Sequence, residues 1–123
     1  VQPNAARRET MKKIEIKDVK QYEAAGHFAM TAMRLSGKEE TGATKFWVGL
    51  SHFLPGGGAE MAGSATEKYY YVLDGEITVV KEDNSEITLK KSDSIFIGPN
   101  EKRAIINKTN LPASTLVVIN YPA

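Results

Sequence analysis

Between Ser36 and Pro112 turn-forming clusters break the chain repeatedly: Ser36-Gly37, Pro55-Gly56-Gly57-Gly58, Asp74-Gly75, Glu82-Asp83-Asn84-Ser85, Gly98-Pro99-Asn100, and the stretch from Asn107 to Pro112. Glycine admits positive φ, proline removes an N–H, and short polar side chains bond their own backbone, so a regular element stops at such clusters. The runs left between them are of strand length, and no long amphipathic helix is visible. Many short strands at near-regular spacing predict an all-β sandwich or barrel and argue against an α/β fold.

Period-two alternation of polar and apolar residues predicts half-buried strands over Lys13–Lys17 and His27–Leu35, with a connection or short helical turn from Asp18 to Gly26. Lys38–Thr44 reads as a polar loop. Lys45–Leu54 is the most apolar strand candidate, and Pro55-Gly56-Gly57-Gly58 should end it. Tyr69–Leu73 and Glu76–Lys81 flank Asp74-Gly75, a dipeptide suited to a tight turn with both residues at positive φ, which predicts a hairpin. Further strands are expected at Glu86–Lys90, Ile95–Ile97, Arg103–Ile106 and Thr115–Asn120.

Composition narrows the function classes. With 123 residues, 41% hydrophobic, the chain has material for one core. Its net charge of +1 comes from 16 basic and 15 acidic residues spread along the whole length. No basic stripe exists to meet a phosphate backbone, so nucleic acid is not an expected partner. The absence of cysteine removes disulfides, thiolate metal sites and a cysteine nucleophile. No apolar run approaches membrane-spanning length and the first ten residues lack a hydrophobic centre, so no membrane partner is expected and the chain reads as soluble and cytoplasmic. Because Met11-Lys12-Lys13 resembles a natural start, residues 1–10 are read as an N-terminal extension, flexible or left over from cloning, and residues 11–123 as a single barrel domain.

Two stretches, Lys68–Gly75 and Ser92–Asn100, each run from strand into turn, and together they resemble the two halves of a cupin barrel. The resemblance covers Phe46 to Asn120 and implies the cupin double-stranded β-helix, or jelly-roll, fold. In that superfamily the first motif carries a His-x-His pair and a glutamate between two glycines. With Gly75 as the closing glycine, the glutamate slot holds Lys68, the histidine slots hold Ala62 and Ser64 (Met61 and Gly63 with the longer spacer), and Gly56 opens the motif. Laid from Ser92, the second motif puts Gly98 at the proline, Asn100 at the glycine, Arg103 at the histidine and Asn107 at the asparagine. The frame is retained and all the metal ligands are replaced, which implies that no metal cofactor is held there. The resemblance, with the prior for symmetric pairs, also implies a homodimer.

In the register the resemblance implies, Lys68, Tyr70 and Val72 share an inner face, as do Arg103 and Ile105. Two inward cations demand an anion: Glu60 or Glu67 from the chain, or a ligand carboxylate or phosphate. Arg103 is suited to grip two oxygens, and Lys68 to act as a point charge. A lysine crowded by another cation also has a lowered pKa, suited to proton transfer or imine formation. The alternative places Lys68 on the solvent side of a slipped strand and Arg103 at a rim salt bridge. At least one of Tyr69, Tyr70 and Tyr71 must face away from the cavity; an inward Tyr70 would donate to an enolate or relay a proton.

His52 is in phase with Val48, Leu50 and Leu54, while Trp47, Gly49, Ser51 and Phe53 form the other face; hydrophobicity leaves open which is inner. His52 is thus either a hydrogen-bonded core or rim residue or a general base. His27, beside Gly26 and without a partner in sequence, reads as structural or exposed. His52, Glu60, Glu67 and His27 are the residues from which an unconventional metal site would have to be built, and none of them stands at a diagnostic spacing.

The expectation is therefore a metal-independent protein that holds a small anionic organic molecule in its barrel. Lys68 and Arg103 bind or polarise the ligand, and Tyr70 and His52 are the candidates for proton transfer in an isomerase-type or lyase-type reaction. The alternatives are a non-catalytic ligand-binding barrel and a metal-dependent oxygenase or isomerase with unconventional ligands.

Overall fold

The computed structural model describes residues 10–122, so the expected extension, Thr10 apart, lies outside the described residues. Nine strands follow one another: β1 (Gln21–Tyr22), β2 (His27–Ser36), β3 (Phe46–Ala62), β4 (Lys68–Asp74), β5 (Glu76–Lys81), β6 (Glu86–Lys90), β7 (Ser94–Ile97), β8 (Arg103–Ile106) and β9 (Ala113–Asn120). A 3-10 turn (Ile16–Asp18) and one helical turn, α1 (Lys38–Thr41), are the helical elements among the described residues. No helix there is long and apolar enough to cross a membrane.

All pairings are antiparallel, in the order β6-β5-β8-β3-β9-β4-β7, with β2 on the other edge of β3 and β1 beside β2. The first half of β3 pairs with β9 (Phe46 with Asn120, Phe53 with Ala113), and the second half pairs with β8 (Gly58 with Ile106). One strand thus serves two sheets, and the two fold over a shared core into the expected all-β jelly-roll barrel. The core is filled from both sheets by Phe53, Val72, Ile77, Val79, Ile105 and Val117. Fully buried chains such as Val72, Ile77 and Ile105 each contribute about 1.5–3 kcal/mol by leaving water.

Three expectations are corrected. Lys13–Lys17 is not a strand: it meets no sheet edge, Ile14 and Ile16 are exposed, and alternation without a partner ladder does not hold. Nor does β3 stop at Pro55; it runs 17 residues, through the glycines to Ala62. Those glycines let other strands close in, because a Cβ at Gly57 would lie 2.1 Å from the Ala29 carbonyl oxygen and one at Gly58 would lie 1.9 Å from that of Ile105. The third correction concerns Asp74-Gly75, which joins no hairpin. β4 pairs with β7 and β9, β5 with β6 and β8, and the chain crosses from one sheet to the other at Gly75, which takes positive φ while Asp74 does not. The hairpin lies one turn later, where Glu82–Ser85 joins β5 to β6 with Asn84 at positive φ.

Asn107 pins the connection from β8 to β9 against β3. It is fully buried, donates from Nδ2 to the carbonyls of Phe53 (3.2 Å) and Leu111 (2.8 Å), and accepts at Oδ1 from the backbone and hydroxyl of Thr109.

Candidate functional site

The alternation of β4 decides what faces inward. Lys68, Tyr70 and Val72 are buried while Tyr69, Tyr71 and Leu73 are exposed. Register places Lys68 between Ile97 of β7 and Ile119 of β9, and Tyr70 between Ile95 and Val117. On β8 the inward residues are Arg103 and Ile105, with Arg103 opposite Ala62 of β3 and Lys81 of β5. Two cationic side chains, 9% and 7% exposed, therefore stand on apolar walls of one interior.

Their partners are neutral. Lys68 Nζ donates to Ser64 Oγ at 2.6 Å, and Ser64 is bonded in turn to Thr66 Oγ1 at 2.7 Å. Arg103 Nη2 donates to Tyr70 Oη at 3.0 Å, while Arg103 Nε is buried without a partner. No ion pair among the described residues involves either cation. Burial, and then the charge of Arg103, hold the Lys68 ammonium below the ordinary lysine value of 10.5. Since the phenolic oxygen of Tyr70 accepts from Arg103, its own O–H is left to donate toward the cavity.

That cavity measures about 330 Å³, within the range of small-molecule sites. Besides the cations and Tyr70 it is lined by Ser51, Phe53 and His27, and by a stacked wall on which the Arg34 guanidinium lies 4.5 Å from the Tyr22 ring and 4.7 Å from the Trp47 ring. Burial raises the Tyr22 hydroxyl above its ordinary pKa, against the lowering charge of Arg34. A second hollow, of about 380 Å³, opens beside the first and is lined by His27, Glu60, Ser64, Lys68 and Arg103. His27, Lys68 and Arg103 thus stand where interior and mouth meet.

His52 is not among these residues. Ser51 and Phe53 are the buried neighbours on β3, so His52 projects from the opposite, outer face, where its Nδ1 bonds Ser114 Oγ at 2.7 Å. The expectation that it transfers protons inside the barrel is corrected on geometry. Its face is apolar on both flanks, with Leu50 and Leu54 in phase, and this concealed the orientation in the sequence. His27, which the sequence reads as structural or exposed, instead lines both the interior and the mouth. Only the pairing of His27 with Ala59, across β2 and β3, carries it to the mouth, and no spacing along the chain signals that.

The positions at which a cupin metal would be held do not suit a dication. Ala62 and Ser64 offer no imidazole, and Lys68 and Arg103 are themselves cations that would repel one. Among the described residues no three histidine, aspartate or glutamate side chains cluster elsewhere.

The sequence profile of the family described as "Cupin domain" matches residues 49–119. A protein of Mycobacterium tuberculosis (strain ATCC 25618 / H37Rv) named beta-D-galactosidase Rv1717 is 40% identical over 112 residues, covering 91% of this chain and 96% of that protein. Among solved structures, the polyketide cyclase RemF from Streptomyces resistomycificus superposes with a TM-score of 0.80 at 24% identity, over 89% of this chain and 79% of the other. A sugar phosphate isomerase of the cupin superfamily from Silicibacter pomeroyi does so at 0.74 and 19%, over 90% and 76%. The two structural likenesses speak for the fold alone.

Proposed function

This chain belongs to the cupin family, and on that premise we propose that it holds a small anionic organic molecule in its barrel and carries out proton-transfer chemistry on it without a metal. The observation behind the reading is the buried pair Lys68 and Arg103, with no carboxylate partner among the described residues and an unsatisfied Arg103 Nε. Burying a charge without a counter-charge is costly, and two like charges on one cavity add repulsion, so a ligand anion supplies what the chain does not. A carboxylate would take the guanidinium edge and the ammonium together.

The chemistry such a pocket favours is enolate formation. When a proton leaves carbon beside a carbonyl, charge develops on oxygen; Lys68 and Arg103 stabilise that charge, and the Tyr70 O–H donates to it. Rearrangement or elimination then follows, an isomerase-type or lyase-type outcome. Calorimetric titration with small carboxylates, pyruvate and malonate among them, against their amides tests the first half of the reading. Micromolar to millimolar binding of the acids alone is expected, reduced by Arg103→Met; equal behaviour of acids and amides would sink the proposal.

A second reading is favoured by the 40% identical relative, named as a beta-D-galactosidase. Glycoside hydrolysis uses two carboxyl groups flanking the scissile bond. Glu23 lines the inner cavity and Glu60 the mouth, and the Trp47 and Tyr22 rings offer faces for a sugar. Release of nitrophenol from a nitrophenyl β-D-galactoside, abolished by both Glu23→Gln and Glu60→Gln, would favour this reading over the first.

A further inference from the structure

We infer that His27 is the group that accepts the proton in this cavity; the inference rests on the anion reading and adds its base. Four residues line both the interior and the mouth: Ala25, His27, Lys68 and Arg103. A ligand whose acid group rests on the two cations therefore occupies a space that His27 also lines.

The ring is also set for the task. His27 Nδ1 lies 2.9 Å from the Ala25 carbonyl oxygen. A carbonyl only accepts, so Nδ1 is the protonated nitrogen, and in the neutral ring Nε2 is left with its lone pair free. The backbone around it is held as well. His27 N–H donates to Ala24 O at 3.1 Å, Gly26 turns at positive φ, and Glu60 N–H donates to Gly26 O at 2.8 Å, which ties the turn to β3. Holding one nitrogen on a carbonyl fixes both tautomer and orientation, as a general base requires.

The step balances without an oxidant. Nε2 takes a proton from the carbon beside the ligand carbonyl. The C–H electron pair becomes the enolate double bond, and its negative oxygen is held by Arg103 and the Tyr70 O–H. The imidazolium then returns the proton to either end of the enolate, and the ring ends neutral as it began.

Two measurements test this. Long-range nitrogen–proton correlation on the unaltered, nitrogen-15-labelled chain reads the tautomer of each of its 2 histidines, with His52→Gln to assign them. The Nδ1–H form is expected for His27, and an Nε2–H form would overturn the inference. Pyruvate then serves as the probe: its binding is followed by calorimetry and the exchange of its methyl protons with deuterated solvent by NMR. His27→Gln should slow exchange by about 100-fold or more while changing the pyruvate affinity less than about 3-fold. Binding by the unaltered chain without faster exchange, or exchange unchanged in His27→Gln, would refute the role of His27 and leave the anion reading standing. No binding of pyruvate by the unaltered chain would overturn both.

Discussion

Replacing Lys68 by methionine separates the cost of the charge from its use. Methionine keeps the unbranched stem among Ile97 and Ile119 and removes the ammonium. Removal loses the 2.6 Å bond to Ser64, about 1.5–3 kcal/mol for a bond to a charged group, but relieves a desolvation and repulsion cost of several kcal/mol. The net expectation is a gain of about 1 kcal/mol for the free protein, or about 3–6 °C in Tm for a chain of this length. Ligand binding moves the other way: loss of one charge-assisted contact weakens carboxylate binding by about 1.5–3 kcal/mol, about 10- to 150-fold in Kd. The two effects have a pH signature. Lys68 titrates lower in the folded chain than its ordinary 10.5. Below the folded value both states carry the proton, and the cost is fully present. Between the folded value and 10.5 the unfolded chain holds more protons than the folded one, so the wild-type protein gains stability as pH rises through that window. The advantage of Lys68→Met should therefore be smaller at pH 10 than at pH 7. Urea denaturation at both pH values, with and without saturating carboxylate, checks it. A variant less stable than wild type at pH 7, or one stabilised by the carboxylate as much as wild type, would refute the inward unpaired cation.

Tyr70→Phe should leave carboxylate affinity within about 3-fold, slow proton transfer by about 100-fold, and cost about 1–2 kcal/mol of stability because Arg103 Nη2 loses its acceptor; calorimetry, solvent exchange and denaturation read the three separately. Asn107→Ala removes side-chain bonds to Phe53, Leu111 and Thr109 at a fully buried position, and chemical denaturation should show a loss of about 3 kcal/mol. Gly58→Ala drives a Cβ into the Ile105 carbonyl and should lose more than about 4 kcal/mol or fail to fold, whereas Gly42→Ala, at φ +80 in open space, should lose only about 1–2 kcal/mol by the same assay.

The barrel was legible because burial alternates along β4, β8 and most of β9 and because turn chemistry marks where strands stop. The boundaries of β5 and β6 follow from the turn clusters that flank them, and those of β8 from both signals. What the chain does not spell out is which strands meet. Asp74-Gly75 has the composition of a hairpin, yet Gly75 is required by its approach to Pro112 and Ala113, residues far along the sequence. The glycines after Pro55 likewise read as a terminator, when their lack of side chains is what admits β2 and β8 against β3. The candidate site divides along the same line. Lys68 and Tyr70 are placed by period two within one strand, a local property. The outward turn of His52 and the arrival of His27 at the mouth depend on β2–β3 and β3–β9 register, which only the closed barrel defines.

Lys68 and Arg103 sit on strands that share no ladder. β4 is bonded to β7 and β9, β8 to β3 and β5, and the shortest bonded route from one to the other crosses both β3 and β9. β9 is bonded to β3 on one edge and to β4 on the other, so the bonded framework that holds the two cations on one cavity is complete only when it docks between them. Until then each is free to stay hydrated and neither feels the other. An anion that bridges them consequently recognises the finished barrel and neither sheet alone. It should act on folding kinetics as a late contact does, slowing unfolding while leaving the rate of folding nearly untouched.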